Sequence, residues 1–196
     1  MSCMSQYTLF ETAAGWAGVV WDGQALIGVH LPEREPETAR RALHRRFPQA
    51  AEATPPAWVG AAIGAIGALL QGEKVDLSEV PIDLARVPEF NARVFEIARR
   101  IPPGETRTYG EIAVELGDRL LARDVGAALG QNPWPIVVPC HRVTAAGGKL
   151  GGFSARGGAD TKLKLLAIEG AQVAIQPAPS AKPGPKAVVD GQGSLF

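Results

Sequence analysis

Cys140 and His141 are the adjacent pair in this 196-residue sequence best suited to covalent chemistry. A thiol near its reference pKa of about 8.5 is mostly protonated at neutral pH, so a nucleophilic cysteine needs a base or a positive field beside it. His141 offers the base and Arg142 the field. Neighbouring side chains of an extended segment point to opposite sides, so a Cys140–His141 contact requires a local bend or an intervening water. Glu169, on a helix further along, is the candidate to orient the imidazole. As an isolated pair, the same residues also fit a small buried hydrophobe beside a hydrogen-bonded histidine. Cys3 is the one other cysteine, which argues against a disulfide framework and a Cys-rich zinc site and leaves Cys140 a free thiol.

The elements around Cys140 must present it. Gln131-Asn-Pro-Trp-Pro-Ile-Val-Val-Pro-Cys-His-Arg-Val143 carries three prolines, which push the preceding residues toward extended geometry and predict a stiff run ending at Cys140. Upstream, a short helix with Ile112, Ala113 and Leu116, a turn at Gly117 and a second helix with Leu121, Val125, Ala128 and Leu129 inward match a helix-turn-helix. Phe90, Val94, Ile97, Ala98 and Ile101 share one face of an earlier helix that stops at Pro102-Pro103-Gly104. Downstream, Gly147 to Gly158 lacks both the P-loop and the dinucleotide spacing and reads as a shaped loop. Asp160 to Glu169 is a last helix, with Leu163, Leu166 and Ala167 inward and Gly170 closing it.

The amino-terminal part differs in character. Between Tyr7 and Leu31, two runs rich in β-formers are split by Asp22-Gly23, a hairpin signal. Helices are predicted over Glu37–Phe47 and from about Pro56 to Leu70. The fold class is α+β: a small antiparallel-sheet domain over 1–82, a mainly helical domain over 83–170 and a Pro-, Ala- and Lys-rich disordered tail over 171–196. Twenty cations balance twenty anions, so any nucleic-acid surface must come from uneven distribution. Residues 136–166 hold five cations (Arg142, Lys149, Arg156, Lys162 and Lys164) against Asp160, a tilt that a plain solvated face would also give. No apolar stretch approaches the roughly 20 residues of a membrane span, and the amino terminus lacks a secretory signal, so a cytoplasmic protein with no membrane partner is expected.

Asn-Pro-Trp-Pro-Ile-Val-Val-Pro-Cys-His-Arg-Val behind a helix-turn-helix, followed by a Gly-rich loop and a helix ending Glu169-Gly170, closely resembles the O6-alkylguanine-DNA alkyltransferase family. The resemblance is strong from about Pro81 to Gly170. It implies that Cys140 accepts the alkyl group, that His141 acts on it through a water, that Glu169 polarises His141 and that Asn132 is a hinge. It implies further that Arg123 enters the base stack, that Tyr109 contacts the flipped guanine, and that the backbone carbonyls of Cys140 and Val143 accept from its exocyclic amine. Ser154 would donate to O6, Phe153 would stack where many relatives have tyrosine, and Arg142 would belong to the DNA-binding set. Gly126, Ala127 and Ala128 would allow close approach to the minor groove. The implied partner is double-stranded DNA containing O6-alkylguanine, with O4-alkylthymine as a further substrate, one turnover per molecule and no cofactor. Some relatives carry an amino-terminal zinc. Cys3 and His30 are here, but a full ligand set is not, so no metal is expected.

The end of the chain, Gln192-Gly-Ser-Leu195-Phe196, is similar to peptides that dock on the bacterial sliding clamp by burying Leu and Phe. Two rival readings fit parts of the same sequence. A DNA-binding protein without chemistry would not need Cys140. A cysteine hydrolase would need an oxyanion hole and a base distant in sequence, neither of which is evident.

Overall fold

The structure, a computed structural model, describes residues 4–155 and 157–171. Cys3, Arg156 and the predicted clamp residues Gln192, Leu195 and Phe196 lie outside the described residues.

Three antiparallel strands, β1 (Gln6–Thr12), β2 (Gly15–Asp22) and β3 (Ala25–Glu33), are joined by two-residue turns. The Asp22-Gly23 signal marks the second turn, where Gly23 takes φ +60°. The first, at Ala13-Ala14, has no turn-forming pair and was not legible, so what reads as two runs is three strands. A short β4 (Ala51–Glu52) adds in parallel beside β1, giving the order β3-β2-β1-β4.

Both faces of this sheet are covered, as alternation along the strands requires. Val20 and Ile27 pack with Leu43 and Phe47 of α1 (Pro36–Arg46) and its exit, whereas Val19, Trp21, Leu26 and Val29 face the main core. Gly28 admits α1 to its side of the sheet, since a Cβ there would stand 2.4 Å from the Phe47 ring. α2 (Ala57–Leu70) buries Val59, Ala62, Ile66, Leu69 and Leu70, and the packing of that face holds the helix despite its three glycines, which face open space.

The connector after α2 is pinned to the sheet: the Leu26 amide donates to Pro81 O at 2.8 Å and the Asp83 amide to Leu26 O at 3.0 Å. It leads into α3 (Glu89–Arg99), whose buried face holds Val94, Ile97, Ala98 and also Phe95. α4 (Tyr109–Glu115) begins with a capping box in which Thr108 and Glu111 satisfy each other's backbone amides. Gly117, at φ +109°, turns the chain through one 3-10 turn into α5 (Ala122–Gly130). β5 (Arg107–Thr108) pairs in parallel with β6 (Val143–Thr144), and α6 (Gly158–Ile168) closes the described structure.

The inward face of α6 differs from expectation. Lys162, Leu165, Leu166 and Glu169 are buried, whereas Leu163 is half-buried and Ala167 exposed. Hydrophobicity alone misplaced the face because two of its members are polar. Core side chains from both sides of the predicted boundary near residue 83 enter one hydrophobic cluster. Trp134 is its largest fully buried member, edge-on to Phe95 at 6.0 Å, with its indole Nε1 donating to Leu26 O at 2.8 Å. Among the described residues no helix is long and apolar enough to cross a membrane.

Trp134→Ala should therefore lower unfolding free energy by about 3–5 kcal/mol, measured by urea denaturation. A loss under about 1 kcal/mol would show that the two halves do not depend on this contact.

Candidate active site

The proline-rich segment is a compact loop, and this corrects the expected extended run. The Val138 amide donates back to Trp134 O at 2.7 Å, and Ile136 sits at φ +77°, a backbone region that β-branched residues rarely adopt. Trp134, Ile136, Val137 and Val138 are all buried, so the loop is held from beneath by its own side chains. Asn132 ties its two ends together. Its Nδ2 donates to Val138 O at 2.8 Å, its Oδ1 accepts the Trp134 amide at 2.9 Å, and its side chain hydrogen-bonds Cys140.

Cys140–Arg142 form one 3-10 turn, the local bend that the sequence left open. His141 and Arg142 turn inward onto Glu169, at the carboxyl end of α6. His141 Nε2 lies 2.8 Å from Glu169 Oε1, while Arg142 forks the carboxylate through Nε to Oε2 at 2.9 Å and Nη2 to Oε1 at 2.8 Å. Arg142 Nη1 also donates to Ile101 O at 2.5 Å, and the Gly104 amide donates to Glu169 Oε2 at 3.3 Å. All three side chains are buried.

Burial alone would raise the Glu169 pKa, but the hydrogen bonds and charges of His141 and Arg142 win and hold it at about 2. Burial lowers the His141 pKa more than Glu169 raises it, so the ring is neutral at pH 7. A carboxylate can only accept, which places the ring proton on Nε2 and leaves Nδ1 with its lone pair. Nδ1 is buried and has no hydrogen-bond partner among the described residues.

Cys140 lies in the wall of a cavity of about 480 Å³ between α4, α5 and the glycine-rich loop. Tyr109, Gly126, Gly152, Phe153 and Ser154 line it with the thiol. Tyr109 Oη donates to Gly152 O at 3.2 Å and Ser154 Oγ to Gly130 O at 2.9 Å, so both hydroxyls brace the walls. Gly151, at φ +74°, passes so close that a Cβ would meet the Tyr109 ring at 2.9 Å. Burial pushes the Cys140 thiol up. The hydrogen bond from Asn132, the positive charge of Lys162 and nearby backbone amides oppose it by favouring the thiolate.

The structure thus brings Cys140, Tyr109, Gly126, Phe153 and Ser154 to one cavity, with Asn132, His141 and Glu169 behind the thiol. Arg123 and Ala127 lie exposed on α5 outside it. Two expected DNA contacts are corrected. Arg142 is buried and held by Glu169 and Ile101, and Ala128 is packed into the core on the inner face of α5. The Val143 side chain is fully buried, and its carbonyl accepts from Lys162 Nζ at 2.5 Å. Lys162 was missed as a site residue because it was read among the surface cations. Its spacing from Leu165, Leu166 and Glu169 at i+3, i+4 and i+7 was the available signal. Among the described residues no group of three or more His, Cys, Asp or Glu side chains is placed to hold a metal ion.

Residues 89–171 match the family model described as 6-O-methylguanine DNA methyltransferase, DNA binding domain. A methylated-DNA–protein-cysteine methyltransferase of Mycolicibacterium paratuberculosis is 49% identical over 115 residues, 59% of this chain and 67% of that protein. One of Mycobacterium tuberculosis is 36% identical over 167 residues, 85% of this chain and 93% of the relative. The solved structure of Mycobacterium tuberculosis OGT in complex with DNA is similar at a TM-score of 0.65 and 34% identity, over 84% of this chain and 92% of that one.

Because the Glu169 pKa falls from 4.5 to about 2 on folding, the unfolded chain binds the proton more tightly. Stability is fully present above pH 4.5 and should be lost as pH falls toward about 2. Urea denaturation across this window should show a steeper loss for the native chain than for Glu169→Gln, and equal slopes would contradict the depressed carboxyl.

Proposed function

This chain belongs to the methylated-DNA–protein-cysteine methyltransferase family, and on that premise we propose that Cys140 takes the alkyl group from O6-alkylguanine in duplex DNA and is consumed. The observation that carries the assignment is a thiol in the wall of a cavity of about 480 Å³, roomy enough to admit a purine, backed by a neutral histidine whose proton is fixed on the far nitrogen by Glu169.

An alkyl carbon on O6 of a stacked guanine cannot align with a nucleophile, so the base is rotated into the cavity, and a damaged pair opens at lower cost. His141 Nδ1 accepts the Cys140 proton through a water. The thiolate sulfur then forms a bond to the alkyl carbon as the carbon–O6 bond breaks, and that bonding pair leaves with the guanine, which takes up a proton from water while His141 gives the Cys140 proton back to water. Tyr109 and Phe153 offer ring faces to the base. The carbonyls of Cys140 and Val143 accept from its exocyclic amine; Val143 O keeps a second lone pair beside the one used by Lys162. Ser154 has one proton, now given to Gly130 O, and must turn it to donate to O6. The thioether product is not readily hydrolysed, so each molecule acts once.

We read α4 and α5 as a helix-turn-helix with α5 against the minor groove. Arg123 and Ala127 are exposed one turn apart on α5, and Leu120, in the 3-10 turn just before it, is 85% exposed. Such an apolar and cationic stripe, with a small residue for close approach, suits a groove floor and leaves Arg123 free to enter the stack.

Duplex DNA bearing O6-methylguanine with a labelled methyl group tests the assignment. One label per protein on Cys140, abolished in Cys140→Ala, is expected. Multiple turnover, or label elsewhere, would sink it. O4-methylthymine in the same duplex tests the second substrate. For the carboxyl terminus, we propose sliding-clamp docking through Gln192, Leu195 and Phe196. Removing Leu195 and Phe196 should abolish co-purification with the clamp, and undiminished capture would refute the proposal.

A further inference from the structure

A fully shielded ammonium is costly unless something compensates it, and Lys162 is such a group. Its Nζ donates to Val143 O at 2.5 Å and Gly152 O at 3.3 Å and lies 5.8 Å from the centre of the Tyr109 ring. Among the described residues no carboxylate is within ion-pair distance of it. Arg142, also buried, has the Glu169 carboxylate as its ion-pair partner.

The titratable groups facing Lys162 come from two elements. The reactive turn contributes the Cys140 thiol and the His141 ring, with Glu169 and Arg142 behind it; α4 contributes Tyr109. Of these, the thiol is the group whose ionisation would add a negative charge not already shared, since Glu169 is held by His141 and Arg142, while burial raises both the thiol and the Tyr109 phenol.

We propose that Lys162 is the charge partner of Cys140, its ammonium pinned between the carbonyl after the reactive turn and that of the glycine-rich loop, where it compensates the thiolate as it forms. The same two hydrogen bonds tie the glycine-rich loop, which lines the cavity at Gly152, to the residue that follows the reactive turn, so Lys162 is a positioning residue as well as an electrostatic one. Burial lowers its pKa to about 8 while raising that of the thiol, and the charged form of each favours the charged form of the other. This rests on reading Cys140 as the nucleophile, but the two can fail separately, because thiol ionisation is measurable without DNA.

In a Cys3→Ser background, thiolate absorbance and iodoacetamide reactivity of Cys140 are followed against pH. Lys162→Met should raise the thiol midpoint by about one unit and slow alkylation at pH 7 about tenfold, since one unit of pKa is a tenfold change in thiolate. Lys162→Arg should restore most of the rate. An unchanged midpoint in folded Lys162→Met would overturn the proposal, because a purely structural pin leaves thiol ionisation alone. The unsubstituted chain provides a test that no folding defect can spoil. Capping Cys140 with methyl methanethiosulfonate removes the anion, so the NMR titration midpoint of the Lys162 side chain should fall, and an unmoved midpoint would overturn the proposal equally. Loss of repair with normal thiol coupling would instead count against the alkyl-transfer reading.

Discussion

Glu169 stands where three segments meet. Its carboxylate takes His141 and Arg142 from the reactive turn, the Gly104 amide from the turn after α3, and its own backbone from the end of α6. A buried carboxylate with one strong partner would be a liability, because the desolvation of an ion exceeds what a single contact returns. Here four donated hydrogen bonds converge on two oxygens, and the ion is held rather than neutralised. The consequence for chemistry is indirect but firm. Since this carboxylate cannot donate, the histidine is locked in the tautomer whose free lone pair lies on Nδ1.

That anchor fixes where Cys140 points. With His141 and Arg142 drawn inward, the preceding residue of a 3-10 turn is left on the cavity side, and Asn132 closes the loop behind it. The strained Ile136 backbone is tolerated because the side chains around it are buried and the Val138 amide is bonded across the bend. The pairing of β5 with β6 then sets the thiol against Tyr109, which begins the next helix on the opposite wall. The amino-terminal sheet contributes support: the Leu26 carbonyl receives both the Trp134 indole and the Asp83 amide, and the Val29 amide donates to Pro133 O.

Much of this was legible from the order of residues. The Asp-Gly hairpin, the prolines and glycines that stop helices and the apolar faces of α3 and α5 are local properties, governed by backbone sterics and side-chain spacing. The cysteine, its histidine and the glutamate were legible through a specific motif. Local reasoning failed where a residue's behaviour depends on what surrounds it. Arg142 reads as a DNA-facing cation, and Lys162 as one more surface charge, because a sequence carries no sign of desolvation. Ala128 was placed at once on the inner face and at the groove, and packing resolved it inward.

The sequence by itself determined the chemistry this protein can attempt: a thiol, a base and an acid of suitable types, and helices with suitable faces to carry them. The tertiary structure alone decided which charges are spent internally and which remain for a ligand. It buried Arg142 against Glu169, left Arg123 outside, and drew the Lys162 ammonium inward onto the Val143 carbonyl. The physical reason is that the ionisation and reactivity of a side chain are set by partners distant along the chain and by the water they exclude.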